Sequence, residues 1–579
     1  MEYRYSNDKA TRILVALLKA HNIHKVIVSP GTTNMAIVIS MQYDPWFEMY
    51  SSVDERSAAY MACGLAAESG EPVILSCTEA TASRNYLPGL TEAYYRKLPI
   101  LVITGTHGNA LTHNLFAQSL DRSVQPKDTV SLSVNVDRIQ NQTDEWLVTN
   151  NINRAILELS HKGGRPVHIN LQEATGIGNE TRELPAVRVI NRYAYSDSFP
   201  DISAYKKIVI FIGSHRDYDS DTTKMIEAFC EANNSVVITD HTSGYHGKYK
   251  ILGALEYSQL NRIGLIHPDL LIHLGEVSGE YYATYNLWPS EVWRVSEDGE
   301  IKDPFMRITK IFEMSEQLFF KNYADTQRTK NLTLYEVYKS AYDKLLSRIP
   351  ELPFGNIWIA QQIHSLLPEY SILHFSIFNS LRSWNFFELS DTIKSSCNVG
   401  GFGIDGALST LLGASLAHKD VLHFCVIGDL AFFYDMNSLG NRHVTSNLRI
   451  MLVNNGKGTE FRNFDHPASK LGDDADKFIA AGGHYGNKSP KFVKAFVEAL
   501  GFKYLTASCK EDFLSVKDVF LAKSSDEPIV MEVFTNSEDE SEAIKAVRNI
   551  VKDTRSIPEK ALDKMKSIAG RTKSIIKKL

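Results

Sequence analysis

Long hydrophobic runs are missing from this sequence. No apolar stretch in the 579 residues approaches the ~20 that cross a bilayer, so a membrane-spanning helix is not expected. Cysteine is scarce. The six residues at 63, 77, 230, 397, 425 and 509 stand singly, without a CxxC pair. Neither a zinc ribbon nor a disulfide framework is suggested. Excess positive charge is also absent. A net charge of -6 leaves no nucleic-acid footprint. The opening MEYRYSNDKATR is charged and polar, unlike a signal peptide. A cytoplasmic location is expected, where single buried thiols stay reduced. No exact internal repeat is visible.

What is present is ordinary globular composition, 44% hydrophobic and 22% charged. The length exceeds what one core supports, so several domains are expected. Short β-rich runs alternate with helical stretches from residue 8 to about 180. KVIVSP (25–30), EPVILSC (71–77), PILVITG (99–105) and RPVHINL (165–171) read as buried parallel strands, with DERSAAYMACGLAAESG (54–70) a helix between them. KKIVIFIG, SVVITD and DLLIHLG mark a second block; SILHFSI, VLHFCVIGD, LRIMLVNN and EPIVMEVF mark a third. The expected fold class is α/β, with three doubly wound parallel-sheet domains at 1–185, 195–325 and 350–540.

Residues 556–579 differ in kind. They carry seven Lys or Arg and two acids, a net +5, with Leu562, Met565, Ile568, Ile575, Ile576 and Leu579 able to share a face. A basic amphipathic tail is expected. A solvated or self-packed helix is the plainer reading; contact with a membrane surface or partner is the sharper one.

Chemistry concentrates in VIGDLAFFYDMNSLGN (426–441) and MLVNNGKG (451–458). Asp429 ends one apolar run; Asn454 and Asn455 end the next. In a doubly wound sheet such ends form the ligand crevice. Carboxylate, amide and carbonyl oxygens are hard ligands that suit Mg²⁺, and a helix start beside them favours a diphosphate. Either dipeptide alone is weak. The pair, 26 residues apart from Asp429 to Asn455, is more specific.

The pair resembles the diphosphate- and Mg-binding motif of thiamin-diphosphate enzymes, with GDL in place of the usual GDG. The resemblance implies Mg²⁺ held by Asp429, the Asn455 side-chain oxygen and the Lys457 carbonyl. It also implies a glutamate opening a helix in the N-terminal domain, which hydrogen-bonds the cofactor's aminopyrimidine and assists proton loss from the thiazolium. DER (54–56) puts Glu55 there. As a bare feature, Glu55 is a first-turn acid favoured by the helix dipole. SPGTTN (29–34), the run from 64 to 105 and FAQSLDR (116–122) look like the same N-terminal domain, and GIDG (403–406) like its thiazolium loop. Pro30, Gly31, Thr81, Asn85, Gly403, Ile404, Asp405, Gly428 and Leu430 are then implied cofactor contacts. Gln118 is an implied catalytic contact, and Ile404 the apolar wedge under the cofactor unless it is plain core. The implied assembly is a homodimer or homotetramer with the site between subunits.

Within the family the likeness is to the 2-succinyl-5-enolpyruvyl-6-hydroxy-3-cyclohexene-1-carboxylate synthase branch, which handles two anionic substrates, 2-oxoglutarate and isochorismate, through arginines and a lysine. Here Thr32-Thr33-Asn34, Trp384, Asn398-Val399 and the segment with Glu276 and Glu280 occupy the matching places. His113, Arg122, Arg382, Glu460 and Arg462 are the remaining substrate-contact candidates. The expected function is decarboxylation of a 2-oxo acid, with the acyl anion passed to an acceptor or released as aldehyde. The synthase proper and a cofactor-free structural homologue are the alternatives.

Overall fold

The computed structural model of the protein describes residues 4–108, 111–122, 124–172, 178–261, 264–324, 332–484 and 489–551. The tail expected at 556–579 lies outside the described residues. Contacts group the chain into two compact units, Met1–Phe199 with Ser296–Met314, and Pro200–Val295 with Ser315–Leu579. The described strands form three parallel sheets, as the alternating apolar runs predict.

The first unit holds β1 (Lys25–Val28), β2 (Glu48–Ser51), β3 (Val73–Cys77), β4 (Ile100–Thr106), β5 (Leu132–Val136) and β6 (Val167–Gln172). Their order is β2-β1-β3-β4-β6-β5, with every pairing parallel. Period-two alternation sends side chains to both faces. Val26, Val28 and Ile74 join one core with helices Lys9–Ala20 and Gln142–Glu158. Ile27, Val73 and Leu75 join the other with helices Glu55–Ser69 and Leu87–Arg96. Burial on both faces explains why these strands read as continuous apolar runs. The same unit pairs β7 (Asn191–Ala194) with β13 (Ile308–Glu313).

The second unit contains β8 (Ile208–Ile212), β9 (Ser235–Thr239), β10 (Lys250–Leu252), β11 (Leu270–Leu274) and β12 (Glu291–Val295), in the order β10-β9-β8-β11-β12. It also contains β14 (Ile372–Phe375), β15 (Lys394–Cys397), β16 (His423–Gly428), β17 (Leu448–Asn454), β18 (Lys503–Ala507) and β19 (Ile529–Phe534). These last six run β15-β14-β16-β17-β19-β18. That is the first sheet's order again, strand for strand, although the two sequences show no exact repeat. In both sheets the chain reverses direction of growth next to the first strand, at β1/β3 and at β14/β16. The crevice outside the carboxyl ends at such a switch point is where ligands bind in this fold class. Among the described residues no helix is long and apolar enough to cross a membrane.

Candidate functional site

At the β14/β16 switch, Gly428 is extended and hands over directly to helix Asp429–Asp435, so Asp429 occupies the first turn. The helix is shorter than the sequence suggests and continues as a 3-10 turn, Met436–Gly440. Asp429 is only 3% exposed. Its Oδ1 accepts the Leu430 N–H and its Oδ2 the Gly456 N–H, both at 2.9 Å. Burial pushes its pKa up to about 7; the two N–H bonds pull the other way.

The two asparagines divide the labour. Asn454 ends β17 and donates from Nδ2 to Glu532 on β19 at 2.8 Å. Asn455, one residue on, keeps its Oδ1 buried without a hydrogen-bond partner. The Lys457 side chain turns to Asp476 at 2.7 Å, so its contribution to a cation could come only from its carbonyl. Nothing lies within 4 Å of a Cβ built on Gly428, which leaves open space at the strand end. Among the described residues no cluster of three or more His, Cys, Asp or Glu is placed to hold a metal. Asp429, the Asn455 Oδ1 and the Lys457 carbonyl are hard oxygen donors of the kind that would suit Mg²⁺.

The GIDG segment packs beside this edge. Ile404 is half-buried against the core of the C-terminal sheet. Asp405 is exposed, and a Cβ on Gly403 would stand 2.6 Å from Asp405 Oδ1. Buried Asp435 accepts from both the Ser409 N–H and its hydroxyl, tying helix Ala407–Ala417 to helix Asp429–Asp435. Sequence reasoning missed Asp435 and Glu532. An acid inside the apolar strand IVMEVF was a signal for the second.

On the first unit, Pro30 and Gly31 follow β1, and Thr81 opens the short helix Thr81–Asn85 after β3. A Cβ on Gly31 would meet Thr78 Cγ2 at 1.9 Å, so the two loops touch there. Asp54 caps helix Glu55–Ser69 by accepting the Arg56 N–H. Glu55 is therefore fixed in the first turn, and Asn85 Nδ2 donates to its Oε2 at 3.2 Å. Structure thus joins two residues 30 apart that the sequence offered separately. Gln118 and His113 lie on an exposed segment with positive φ at both positions.

The arginine candidates share one feature. Arg122 is 2% exposed, donates to the Gly105 carbonyl at 2.9 Å and faces Glu79 at 3.7 Å. Arg382 pairs with Glu460. Arg462 pairs with Asp473 at 3.1 Å and Asp476 at 3.2 Å. Each meets a carboxylate of its own unit. Glu79, at the carboxyl end of β3, was not anticipated; it also accepts the His107 N–H at 2.7 Å.

The family described as thiamine pyrophosphate enzyme, N-terminal TPP binding domain, matches residues 8–126. The class is a thiamin-diphosphate-dependent enzyme of carbon–carbon bond chemistry. The chain is 33% identical to a 2-succinyl-5-enolpyruvyl-6-hydroxy-3-cyclohexene-1-carboxylate synthase of Bacteroides thetaiotaomicron, over 93% of this chain and 98% of the relative. Synthases of the same name from Phocaeicola vulgatus and Porphyromonas gingivalis are 31% and 25% identical, over 93% and 92% of this chain and 98% and 96% of theirs. The chain belongs to the thiamin-diphosphate enzyme family, on the side of these synthases. Its cofactor is thiamin diphosphate, which the family usually holds with a divalent metal such as Mg²⁺.

Proposed function

We propose that the protein decarboxylates a 2-oxo acid and passes the acyl group to an acceptor, or releases it as an aldehyde. The observation that carries this reading is the orphaned Asn455 Oδ1 beside a buried Asp429 at the sheet's switch point. Asp429, Asn455 and the Lys457 carbonyl would hold Mg²⁺, and through it the diphosphate. Thiamin diphosphate, when bound, supplies the electron sink that loss of CO₂ requires. Glu55, oriented by Asn85, holds and moves the proton at the pyrimidine end. Pro30, Gly31, Thr81, Gly403, Asp405, Gly428 and Leu430 shape the walls, and Gln118 reaches the reacting centre.

The reading includes three domains at 1–185, 195–325 and 350–540 and a homodimer or homotetramer with the active site between subunits. Exposed Val53, two residues before Glu55, and exposed Leu115 and Phe116, beside Gln118 in sequence, support an unfinished surface on this unit. The test is CO₂ release from a panel of 2-oxo acids with thiamin diphosphate and Mg²⁺. No release from any member, with cofactor bound, would sink the reading. A second reading, the synthase reaction named for the relatives, is favoured by near-complete coverage at 33% identity. Turnover of isochorismate with 2-oxoglutarate distinguishes it.

A further inference from the structure

The Arg382–Glu460 pair stands where donor recognition would occur. Helix Asn379–Trp384 follows β14, and Glu460 lies in the loop after β17. Both therefore emerge at the carboxyl edge that carries Asp429 and Asn455. Arg382 is 8% exposed, with its guanidinium 4.4 Å from the ring centre of Tyr281 and 5.3 Å from that of Phe378. Its Nη1 donates to Glu460 Oε1. Its Nε is buried without a partner.

Glu460 is held from the other side as well. Asn463 Nδ2 donates to its Oε2 at 3.3 Å. The Asn379 amide, in the orientation that satisfies both groups, donates to Oε2 at 3.0 Å and accepts the Glu460 N–H at 3.3 Å. The carboxylate is thus fixed by two amides and a guanidinium. Buried Glu280, beside Tyr281 and capping helix Tyr281–Asn286, adds a further acid facing Arg382. An arginine that could pair bidentately with a substrate carboxylate is here compensated and stacked.

We propose that Glu460 is a specificity-determining residue, which by neutralising Arg382 directs the site toward 2-oxo acids whose substituent bears no second carboxylate. The inference rests on the 2-oxo acid reading above. An approaching dicarboxylate meets no net positive charge at this corner to offset desolvation of its second carboxylate, whereas a monoacid has no such group to desolvate. Leaving a competitor's charge unpaired is an ordinary route to specificity.

The experiment uses the holoenzyme with thiamin diphosphate and Mg²⁺. CO₂ release is measured from two chain-matched pairs, 2-oxopentanoate against 2-oxoglutarate and 2-oxohexanoate against 2-oxoadipate. Ferricyanide is present to oxidise the decarboxylated group. The wild type is expected to favour each monoacid in kcat/KM by about tenfold or more. Glu460→Gln should move that ratio toward the diacids by about tenfold, and Arg382→Gln added to it should cancel the shift. A wild-type preference for the diacids overturns the proposal even if the variants fold poorly. So does a Glu460→Gln enzyme that binds cofactor and loses activity equally on both acids. CO₂ from neither member of either pair overturns the 2-oxo acid reading as well, which separates that failure from a wrong donor class.

Discussion

The carboxylate of Asp429 accepts the backbone N–H of Gly456 at 2.9 Å, binding the end of one central strand to the loop after its neighbour. Gly456 directly follows Asn455, whose side-chain oxygen is buried without a hydrogen-bond partner among the described residues. Asp429→Ala removes a buried carboxyl from this strand end. Affinity for thiamin diphosphate with Mg²⁺ is expected to fall by about 100-fold or more, since even residues outside the metal's own ligands cost about 10–100-fold. Thermal shift reads it directly. The wild type should gain stability with cofactor and metal, and the variant should not. An unchanged shift would remove Asp429 from the metal site.

Glu55 and Asn85 make a different kind of prediction, because they act on a proton and not on anchoring. Glu55→Gln keeps the shape and a hydrogen-bonding group for Asn85. Turnover is expected to drop about 10²–10⁴-fold, the usual scale for general acid–base groups. Cofactor affinity should change little. The second readout is exchange of the cofactor's C2 proton in deuterated solvent, which should slow with turnover. Loss of cofactor binding in place of slowed exchange would make Glu55 an anchor.

The apolar strands were legible because burial on both faces leaves continuous Val, Ile and Leu runs, as in KVIV and HFCVIG. The edge strands were not. β2 and β15 are short, polar and largely exposed, and nothing in EMYS or KSSC announces a strand. Asp429 and Asn455 stand out in the sequence because hard oxygen donors at strand ends have a recognisable spacing. The state of the arginines could not be read. Arg382 and Glu460 lie 78 residues apart, and only the shared carboxyl edge of the sheet brings them together. Asn454 and Asn455 look equivalent in sequence, yet sheet register gives one to Glu532 and leaves the side-chain oxygen of the other without a hydrogen-bond partner among the described residues.

Glu256 predicts a pH dependence of stability. It is 7% exposed, its Oε2 has no hydrogen-bond partner among the described residues, and it lines a cavity of about 450 Å³ with Lys344 and Arg348. Burial raises its pKa from 4.5 to about 7. The folded state therefore holds a proton that the unfolded chain has released. Its favourable contribution is complete below about pH 4.5 and is lost as pH rises through 7. Glu256→Gln should match the wild type near pH 4.5 and exceed it at pH 8 by up to about 3 kcal/mol. Urea unfolding at the two pH values checks this. A difference independent of pH would contradict the assignment.

Gly31 predicts a steric rescue. Its ideal Cβ would stand 1.9 Å from Thr78 Cγ2. Threonine is branched at Cβ and stiff, so the methyl cannot swing aside cheaply. Gly31→Ala is expected to cost about 1–3 kcal/mol, the scale of overpacking, and to weaken cofactor binding by spreading the loops after β1 and β3. Thr78→Ser deletes only the offending methyl and keeps the hydroxyl. The next contacts of that Cβ, Thr78 Cβ at 3.3 Å and Oγ1 at 3.5 Å, are tight but tolerable. The double variant should therefore recover most of the lost stability and cofactor affinity, measured by urea unfolding and thermal shift. If Gly31→Ala is neutral, or Thr78→Ser fails to restore it, the close approach of these two loops does not shape the site.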